Sequence, residues 1–376
     1  MRILLTCGGT AGHINPAIAV AQRLRELSPD CEILFIGAEG KMEMDLVPRD
    51  GFRILPLKVT NLSRGHHLED IGHNLNSLKN VIESGREAKR ILKEFRPDAV
   101  LGTGGYVCYP VLHEAAKLHI PTLIHESNAT PGLTTKMLAG QVSCVMLGYQ
   151  ESAGHYSGTA DLRVTGTPVR GRFSLYTREK AREELGIPAD LPLVVSMWGS
   201  LGSGHMNDIV MEMLPLMKGQ QDFCMIHATG SYYHDAVTEK LKAAGIVPAA
   251  CRTELREYIF DSERVLSAAD LVLCRAGAST LSELSSIGKP ALIVPSPNVT
   301  NHHQEKNARL VENAGGARVL LEGEFDEKSF LEEIRTLLRD AEGLERMAKA
   351  MRALSVPNAL DRIVDAVLEY AGKNRS

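Results

Sequence analysis

The chain opens with a short apolar run that gives way to apolar positions at helical spacing. Residues 2–7 are mostly hydrophobic and predict a buried parallel strand, because such strands are covered on both faces. The next six residues, 8–13, contain three glycines and predict a tight turn, here named the first glycine turn. Asn15 is then a good helix N-cap, and Pro16 suits the first helical turn. The apolar stripe that predicts this helix consists of Ala17, Val20, Leu24 and Leu27.

The first glycine turn has two interpretations. Its glycines would let main-chain N–H groups approach a ligand, and the start of a helix favours negative charge. It matches neither the P-loop nor the dinucleotide motif, and the strand over 33–37 does not end in an acid, although Glu39 is close. The alternative is a plain joint between strand and helix, with His13 as a capping or solvent-facing histidine.

The same alternation continues and predicts an α/β fold with parallel sheets. A strand over 99–101 runs into the second glycine turn, residues 102–106, and a strand over 121–124 runs into the polar residues 125–128. In open parallel sheets, ligands lie beyond the carboxyl ends of the strands. We therefore expect these segments and the first glycine turn to face one crevice.

A helix is predicted from about Leu75 to Phe95, ended by Pro97. This helix could be amphipathic and pack its apolar side against the rest of the protein. Alternatively, it could contact an anionic membrane surface through an apolar patch surrounded by basic residues. The apolar residues concerned are Leu75, Leu78, Val81 and Ile82. The basic residues are Lys79, Arg86, Lys89, Arg90 and Lys93. Spacing favours the buried interpretation without settling it.

The pattern restarts near residue 170 and predicts a second lobe. A strand over 193–197 leads into the third glycine turn, residues 198–204, and a further strand covers 223–228. The two halves therefore resemble each other, and a cleft between two lobes is expected. A final helix is predicted after Asn358, with Ile363, Val364, Val367 and Leu368 as its apolar positions.

The segment 269–283 again predicts strand, glycine turn and helix. Glu283 could accept both hydroxyls of a ribose while turn N–H groups meet phosphate. Alternatively, Thr280 and Glu283 form a capping box at the helix start. A buried strand over 290–297 follows, and then a histidine pair and Gln304. No carboxylate at ligand spacing completes a metal site there, so recognition of sugar hydroxyls by Gln304 fits better.

Composition narrows the class of protein. The 376 residues suffice for two domains, and 44% hydrophobic with 23% charged residues is ordinary for a globular protein. A net charge of -4 gives no sign of nucleic-acid binding. The seven cysteines include no C-x-x-C pair, which argues against disulfide frameworks and zinc sites. No signal peptide and no apolar run of spanning length are evident, so a cytosolic protein is expected.

Six collinear motifs resemble the MurG family of peripheral glycosyltransferases. They are GGTAGH at 8–13, GTGGY at 102–106, HESN at 125–128, TGTPVR at 165–170, CRAGASTLSE at 274–283 and HHQEKNA at 302–308. The resemblance covers nearly the whole chain. It implies a GT-B architecture of two Rossmann-like lobes: an acceptor-binding lobe over 1–169 and 357–376, and a UDP-sugar lobe over 170–356. It also implies that N-acetylglucosamine moves from UDP-N-acetylglucosamine to the muramoyl 4-hydroxyl of lipid I with inversion, at the cytoplasmic face of the bacterial membrane.

The resemblance also implies roles for individual residues. Thr10, Ala11, Gly12 and His13 would lie at the acceptor diphosphate and reaction centre, with Gly105, Tyr106 and Glu126 near the acceptor or behind it. The remaining residues would bind the donor: Asn128 at its sugar, Arg170 and Ser200 at its diphosphate, Ile259 at uracil, Ala278, Ser279 and Thr280 in the phosphate turn, Glu283 at ribose and Gln304 at the sugar.

The chemistry of inverting transfer requires a base on the acceptor hydroxyl and stabilisation of the departing diphosphate. His13 is the predicted base, because an imidazole titrates near neutrality. Turn N–H groups, a helix start and Arg170 can spread the charge on UDP, so no cofactor and no donor metal are expected. A divalent cation assisting the acceptor diphosphate stays open, as does contact of the 75–93 helix with anionic phospholipid.

The third and the second glycine turns depart from the family pattern, which bears on donor preference. Trp198 and Leu201 stand where the family usually has glycine and glutamine, and Thr103 stands where methionine is expected. A paralogous transferase acting on another lipid-linked acceptor is therefore an alternative. A UDP-N-acetylglucosamine epimerase of the same shape and a non-catalytic nucleotide-sugar binding module are the others.

Overall fold

A computed structural model describes residues 1–59, 83–158, 160–169, 173–220, 222–299 and 302–374. Thirteen strands are present in these ranges. They are β1 Arg2–Thr6, β2 Glu32–Ala38, β3 Arg53–Leu57, β4 Ala99–Gly102, β5 Thr122–Glu126, β6 Cys144–Leu147, β7 Asp161–Val164, β8 Leu193–Met197, β9 Cys224–Ala228, β10 Thr253–Arg256, β11 Leu271–Cys274, β12 Ala291–Ile293 and β13 Ala317–Val319.

The helices of the described ranges alternate with these strands. They are α1 Ala11–Leu27, α2 Glu43–Arg49, α3 over 83–95, α4 Cys108–Lys117, α5 Leu133–Leu138, α6 Arg178–Leu185, α7 Gly204–Met217, α8 His234–Ala243, α9 Ser262–Ala268, α10 Ala278–Ile287, α11 His303–Asn313, α12 Glu327–Arg339, α13 Ala341–Ala353 and α14 Ala359–Lys373. Within the part of the chain that the structure describes, no helix is both long and apolar enough to cross a bilayer.

The chain divides into two compact units, Met1–Arg170 with Val356–Ser376, and Gly171–Ser355. The first holds a parallel sheet of order β3-β2-β1-β4-β5-β6-β7, and the second holds a parallel sheet of order β10-β9-β8-β11-β12-β13. The prediction of two parallel, Rossmann-like α/β lobes is confirmed. The cleft between them and the division of acceptor and donor binding stay predictions.

Both faces of the first sheet are buried, as the apolar run of β1 predicted. Ile3 and Leu5 pack with α1 and α14 on one face, whereas Leu4 packs with α3 and α4 on the other. In the second unit, Val194 of β8 packs with α7 and α12. These layers leave the loops after the strands at one edge of each sheet.

Several predicted boundaries were wrong. Helix α1 begins at Ala11 with Thr10 as its N-cap, so Asn15 is not a cap and Pro16 lies inside the helix. Strand β12 ends at Ile293, because the prolines that follow cannot continue a ladder. The apolar patch predicted at Leu75 to Ile82 lies outside the described residues, whereas α3 is a helix as predicted.

Candidate active site

The imidazole of His13 is held by the first glycine turn. Because α1 begins at Ala11, His13 lies in its first helical turn. Its Nδ1 atom is 3.0 Å from the carbonyl oxygen of Gly8, and Thr10 Oγ1 is 3.4 Å away. A carbonyl can only accept, so Nδ1 carries the hydrogen and Nε2 keeps its lone pair. The ring is therefore oriented to take a proton at Nε2.

The second glycine turn packs against the same histidine. Gly104 has a φ of +117°, and a Cβ there would lie 2.5 Å from His13 Cδ2, so only glycine allows the ring to rest on this turn. Its carbonyl accepts from the Gly8 N–H at 3.2 Å. Thr103, in place of the expected methionine, donates from Oγ1 to the His13 carbonyl at 2.7 Å. The two turns therefore form one rigid support.

Gly105 and Tyr106 complete the second turn. A Cβ on Gly105 would lie 2.3 Å from the Gly8 carbonyl oxygen, so the two turns are in direct contact there. The half-buried ring of Tyr106 lies near Gly9. Burial raises the pKa of the Tyr106 hydroxyl, with the carboxylate of Glu43 adding to the rise. Tyr106 is therefore a neutral group beside the turn.

Glu126 is buried and organises the loop after β5. One oxygen accepts from the main-chain N–H and the side-chain amide of Asn128, at 3.1 and 2.8 Å. The other accepts from the Gly132 N–H at 2.9 Å and from Thr135 Oγ1 at 2.7 Å. With both oxygens engaged, Glu126 places Asn128. The strand also runs to Glu126, two residues beyond its predicted end.

His125 lies in the HESN motif, and no role was predicted for it. Its Nε2 is 2.8 Å from the Gly166 carbonyl oxygen, and Ser127 Oγ lies 3.3 Å from its Nδ1. Burial lowers the pKa of His125, so the ring is neutral. It ties the end of β5 to the segment before Arg170, which itself lies outside the described residues.

The third glycine turn projects from the end of β8. Ser200 and Leu201 are exposed at its tip, and Leu201 is 62% exposed. Trp198 is 2% exposed and points into the core, where its Nε1–H donates to Ser196 Oγ at 2.9 Å. The indole therefore leaves the surface of the turn open.

A buried polar network lies under this turn. Ser196 Oγ is 2.9 Å from Nδ1 of His227, whose Nε2 is 3.1 Å from Asn207 Oδ1. Asn207 donates from Nδ2 to the Thr229 carbonyl at 3.0 Å. Burial lowers the pKa of His227 to about 3, so the histidine is neutral. The network joins β8, β9 and α7.

Helix α10 begins two residues before the predicted capping box. Gly277 is its N-cap, so Ala278, Ser279 and Thr280 form the first turn and Thr280 is not the cap. The capping-box interpretation of Glu283 is therefore wrong, and Glu283 lies half-buried inside the helix. Ser279 Oγ is buried without a hydrogen-bond partner among the residues that the structure describes. First-turn N–H groups of a helix suit an anion.

Arg275 joins three loops at this edge and was missed from the sequence. It donates to the Val294 carbonyl at 3.0 Å and to Ser203 Oγ at 2.7 Å, and it pairs with Glu322. Its guanidinium carbon lies 5.8 Å from the Trp198 ring centroid. An arginine directly after a buried strand was the available signal. Its position places a cation beside the third glycine turn.

Ile259 lies in the loop after β10, and Gln304 is the second residue of α11. The Ile259 side chain is buried, between the exposed rings of Tyr258 and Phe260. Its main-chain groups form no hydrogen bond to another described residue. Gln304 accepts at Oε1 from the Ser296 N–H at 2.9 Å, which leaves its NH2 group to donate. Over the described ranges, no cluster of three or more histidine, cysteine or acidic residues suits a metal ion.

Comparison with known proteins identifies the class. The glycosyltransferase family 28 N-terminal domain matches residues 3–147, and the C-terminal domain of that family matches residues 193–363. The chain is 41% identical to the UDP-N-acetylglucosamine--N-acetylmuramyl-(pentapeptide) pyrophosphoryl-undecaprenol N-acetylglucosamine transferase of Acetivibrio thermocellus, over 100% of both chains. A protein of the same name from Caldanaerobacter subterraneus subsp. tengcongensis is 38% identical, over 98% of this chain and 99% of the relative.

A solved structure supports the same conclusion. MurG of Acinetobacter baumannii matches with a TM-score of 0.79 and 27% identity, covering 98% of this chain and 99% of that one. Fold and relatives together define a glycosyltransferase with two Rossmann-like domains of the GT-B type, and therefore an enzyme. The chain belongs to the MurG family within glycosyltransferase family 28, so the resemblance predicted from the six motifs is confirmed.

Proposed function

We propose that the protein transfers N-acetylglucosamine from UDP-N-acetylglucosamine to the muramoyl 4-hydroxyl of lipid I, which gives lipid II for peptidoglycan synthesis. The observation that carries the proposal is identity of 41% along the entire length of a relative whose name states this donor sugar and this acceptor. The match covers the whole chain, and therefore both units.

The proposed chemistry is a single displacement with inversion. Nε2 of His13 takes the proton of the 4-hydroxyl as that oxygen bonds to the anomeric carbon. The bond from this carbon to the diphosphate oxygen breaks, and UDP leaves with the electron pair. The contact of Nδ1–H with the Gly8 carbonyl supports this role, because it leaves the lone pair at Nε2.

The second unit is proposed to hold the donor. The first turn of α10 and the exposed tip of the third glycine turn would meet the diphosphate, with Arg170 and Ser200 assisting. Glu283 would bind ribose, main-chain groups of Ile259 would bind uracil, and Asn128 and Gln304 would bind the sugar. The half-buried position of Glu283 inside α10, rather than at its cap, supports a ligand role.

Attachment to the cytoplasmic face of the membrane is part of the proposal, because the acceptor carries a lipid. On α3, Arg90 pairs with Glu87 and Glu94, whereas Arg86, Lys89 and Lys93 are exposed. These three bases are the proposed contacts with anionic phospholipid.

No cofactor is proposed for the donor site, so chelation by EDTA is expected to leave UDP binding unchanged. If a divalent cation assists the acceptor diphosphate, EDTA would lower the rate of transfer to the acceptor.

The test is incubation of the protein with radiolabelled UDP-N-acetylglucosamine and a lipid I analogue. A labelled product that requires the acceptor and carries the inverted anomeric linkage by NMR is expected. An altered sugar nucleotide formed without acceptor would indicate an epimerase. Protection against thermal unfolding by UDP with no turnover would indicate a binding module, and either result contradicts the proposal.

A further inference from the structure

Glu43 is a buried acid to which the reaction described above gives no role. It is the first residue of α2 and is 0% exposed. Its Oε1 accepts from the Ala38 N–H at 2.9 Å, and its Oε2 accepts from the Gly9 N–H at 3.2 Å. Both oxygens act as acceptors, which is the hydrogen bonding of an ionised carboxylate. A buried charge of this kind must be hydrogen-bonded to be tolerated.

The bond to Gly9 places this carboxylate on the same peptide group as His13. The Gly9 N–H and the Gly8 carbonyl belong to one peptide unit, and its trans geometry points them in opposite directions. The carbonyl accepts from His13 Nδ1 at 3.0 Å, while the N–H donates to Glu43. Carboxylate, peptide and imidazole therefore form a continuous chain of hydrogen bonds, and the members of such a chain polarise one another.

We propose that Glu43 is a positioning residue that acts on His13 through the Gly8–Gly9 peptide group. By accepting from the Gly9 N–H, the carboxylate pushes electron density through the peptide onto the Gly8 oxygen. This oxygen then holds the Nδ1–H tautomer and stabilises the imidazolium that forms when Nε2 takes a proton. The inference rests on the proposed function, because it assumes that His13 is the base.

Close packing fixes the geometry of this chain. A Cβ on Gly8 would lie 2.4 Å from Glu43 Oε1 and 2.9 Å from Val107 Cγ1, so only glycine lets the carboxylate approach the turn. On the other side, Gly104 rests against the His13 ring. Neither end of the chain can shift without moving a packed neighbour.

Other titratable groups around the pair are neutral near pH 7. Cys7, Cys108 and Tyr106 face Glu43, and burial is the largest cause that raises the pKa of each. His125 lies on the side of His13, and burial lowers its pKa. Glu43 is therefore the carboxylate that is hydrogen-bonded to the peptide group holding His13.

The test is Glu43→Gln, which keeps the shape but removes the charge and one acceptor oxygen. We expect kcat to fall about tenfold, the rate equivalent of a hydrogen bond to a charged group. Removal of the carboxylate is expected to weaken stabilisation of the protonated imidazole, so the acid limb of the kcat–pH profile should move to lower pH. The KM for UDP-N-acetylglucosamine is expected to be unchanged.

The matched control is Asp45→Asn, which removes an exposed carboxylate from the same helix. It is expected to leave both kcat and the pH profile unchanged. A Glu43→Gln variant with lower kcat and an unmoved acid limb would overturn the proposal, since that result indicates a purely structural role.

A double variant separates this inference from the proposed function. Residues that act as a unit are non-additive, so Glu43→Gln is expected to cause no further loss in a His13→Ala background. An independent tenfold loss would overturn the inference. Wild-type activity of His13→Ala would instead remove the proposed base, whereas an inactive His13→Ala beside a fully wild-type Glu43→Gln would remove only the role of Glu43.

A measurement on the wild-type protein covers the case in which Glu43→Gln does not fold. ¹⁵N NMR of histidine-labelled protein, with the His13 signals identified by their loss in His13→Ala, reports the tautomer. The Nδ1–H form is expected, and the Nε2–H form would overturn the proposal.

Discussion

The first and third glycine turns occupy equivalent positions in two sheets of similar order, yet residues of opposite charge support them. Each turn follows the strand from which its sheet is wound, β1 in one unit and β8 in the other. Glu43 lies beneath the first turn and accepts from its main chain. Arg275 lies beside the third turn, donates to Ser203 at its end and approaches the Trp198 ring.

This difference bears on what each turn can bind. In the first turn, the N–H groups of Gly8 and Gly9 donate to the Gly104 carbonyl and to Glu43, so these two groups are not available to an anion. A nearby carboxylate does favour a histidine that must become positive. In the third turn, the adjacent guanidinium of Arg275 is paired with Glu322 and also donates to Ser203, so its N–H groups lie where a diphosphate could be bound. We therefore expect the same local fold to serve a base in one unit and an anionic leaving group in the other.

The largest effect is expected from removing the base of the first turn. His13→Ala should lower kcat by roughly 10²-fold or more, because proton removal from the acceptor then lacks its partner. UDP affinity, which we expect to depend on the second unit, should be unchanged by calorimetry. His155→Ala, an exposed histidine of the same unit, is the control and should have wild-type kcat. Equal kcat for the two variants would show that His13 is not the base, and would contradict the contrast between the two turns.

The next largest effect is expected at the cation of the third turn. Arg275→Met should weaken UDP binding by about tenfold or more, because a charged anchor shared by Ser203 and Val294 is lost. Isothermal calorimetry on the folded variant measures this, with thermal unfolding recorded separately. Arg318→Met, which removes an exposed arginine paired with Glu333, is the control. Wild-type affinity in Arg275→Met would show that the cation has no influence on the donor.

A smaller loss is expected at the acid of α10. Glu283→Ala should weaken UDP binding by about five- to tenfold, because two hydroxyls of ribose lose their acceptor. The same variant should no longer distinguish UDP from 2′-deoxy-UDP, whereas the wild-type protein should. Glu342→Ala on α13 is the exposed control. Undiminished discrimination in Glu283→Ala would place the ribose elsewhere.

The smallest effect on binding is expected at Trp198. Trp198→Phe keeps a ring in the core but removes the Nε1–H that donates to Ser196. The free energy of unfolding should fall by about 1 kcal/mol, the net value of a typical hydrogen bond, as measured by denaturant titration. UDP affinity should stay within about twofold, since the indole faces the core. A large loss of affinity at unchanged stability would place the indole at the ligand instead.

The sequence predicted the strands before these turns, which depend on local hydrophobicity, but not the residues that contact the turns from elsewhere in the chain. The apolar run of 193–197 coincides with β8, because a buried parallel strand is read from hydrophobicity alone. The start of α1 was misplaced because Asn15 and Pro16 have strong local preferences. In the structure, the N–H groups of His13 and Ile14 donate to the Thr10 carbonyl, so the helix already begins at Ala11. Glu43 and Arg275 escaped notice because Gly9 and Ser203, the turn residues that they contact, are distant from them in sequence. Tertiary contacts of that kind leave no periodic signal.

The crystal structure of the protein soaked with UDP tests the division between the two turns most directly. The account predicts density for the diphosphate at the first turn of α10 and the third glycine turn, with uracil at the main chain of Ile259 and no nucleotide at residues 8–13. A diphosphate bound to the first glycine turn, above Glu43, would contradict it.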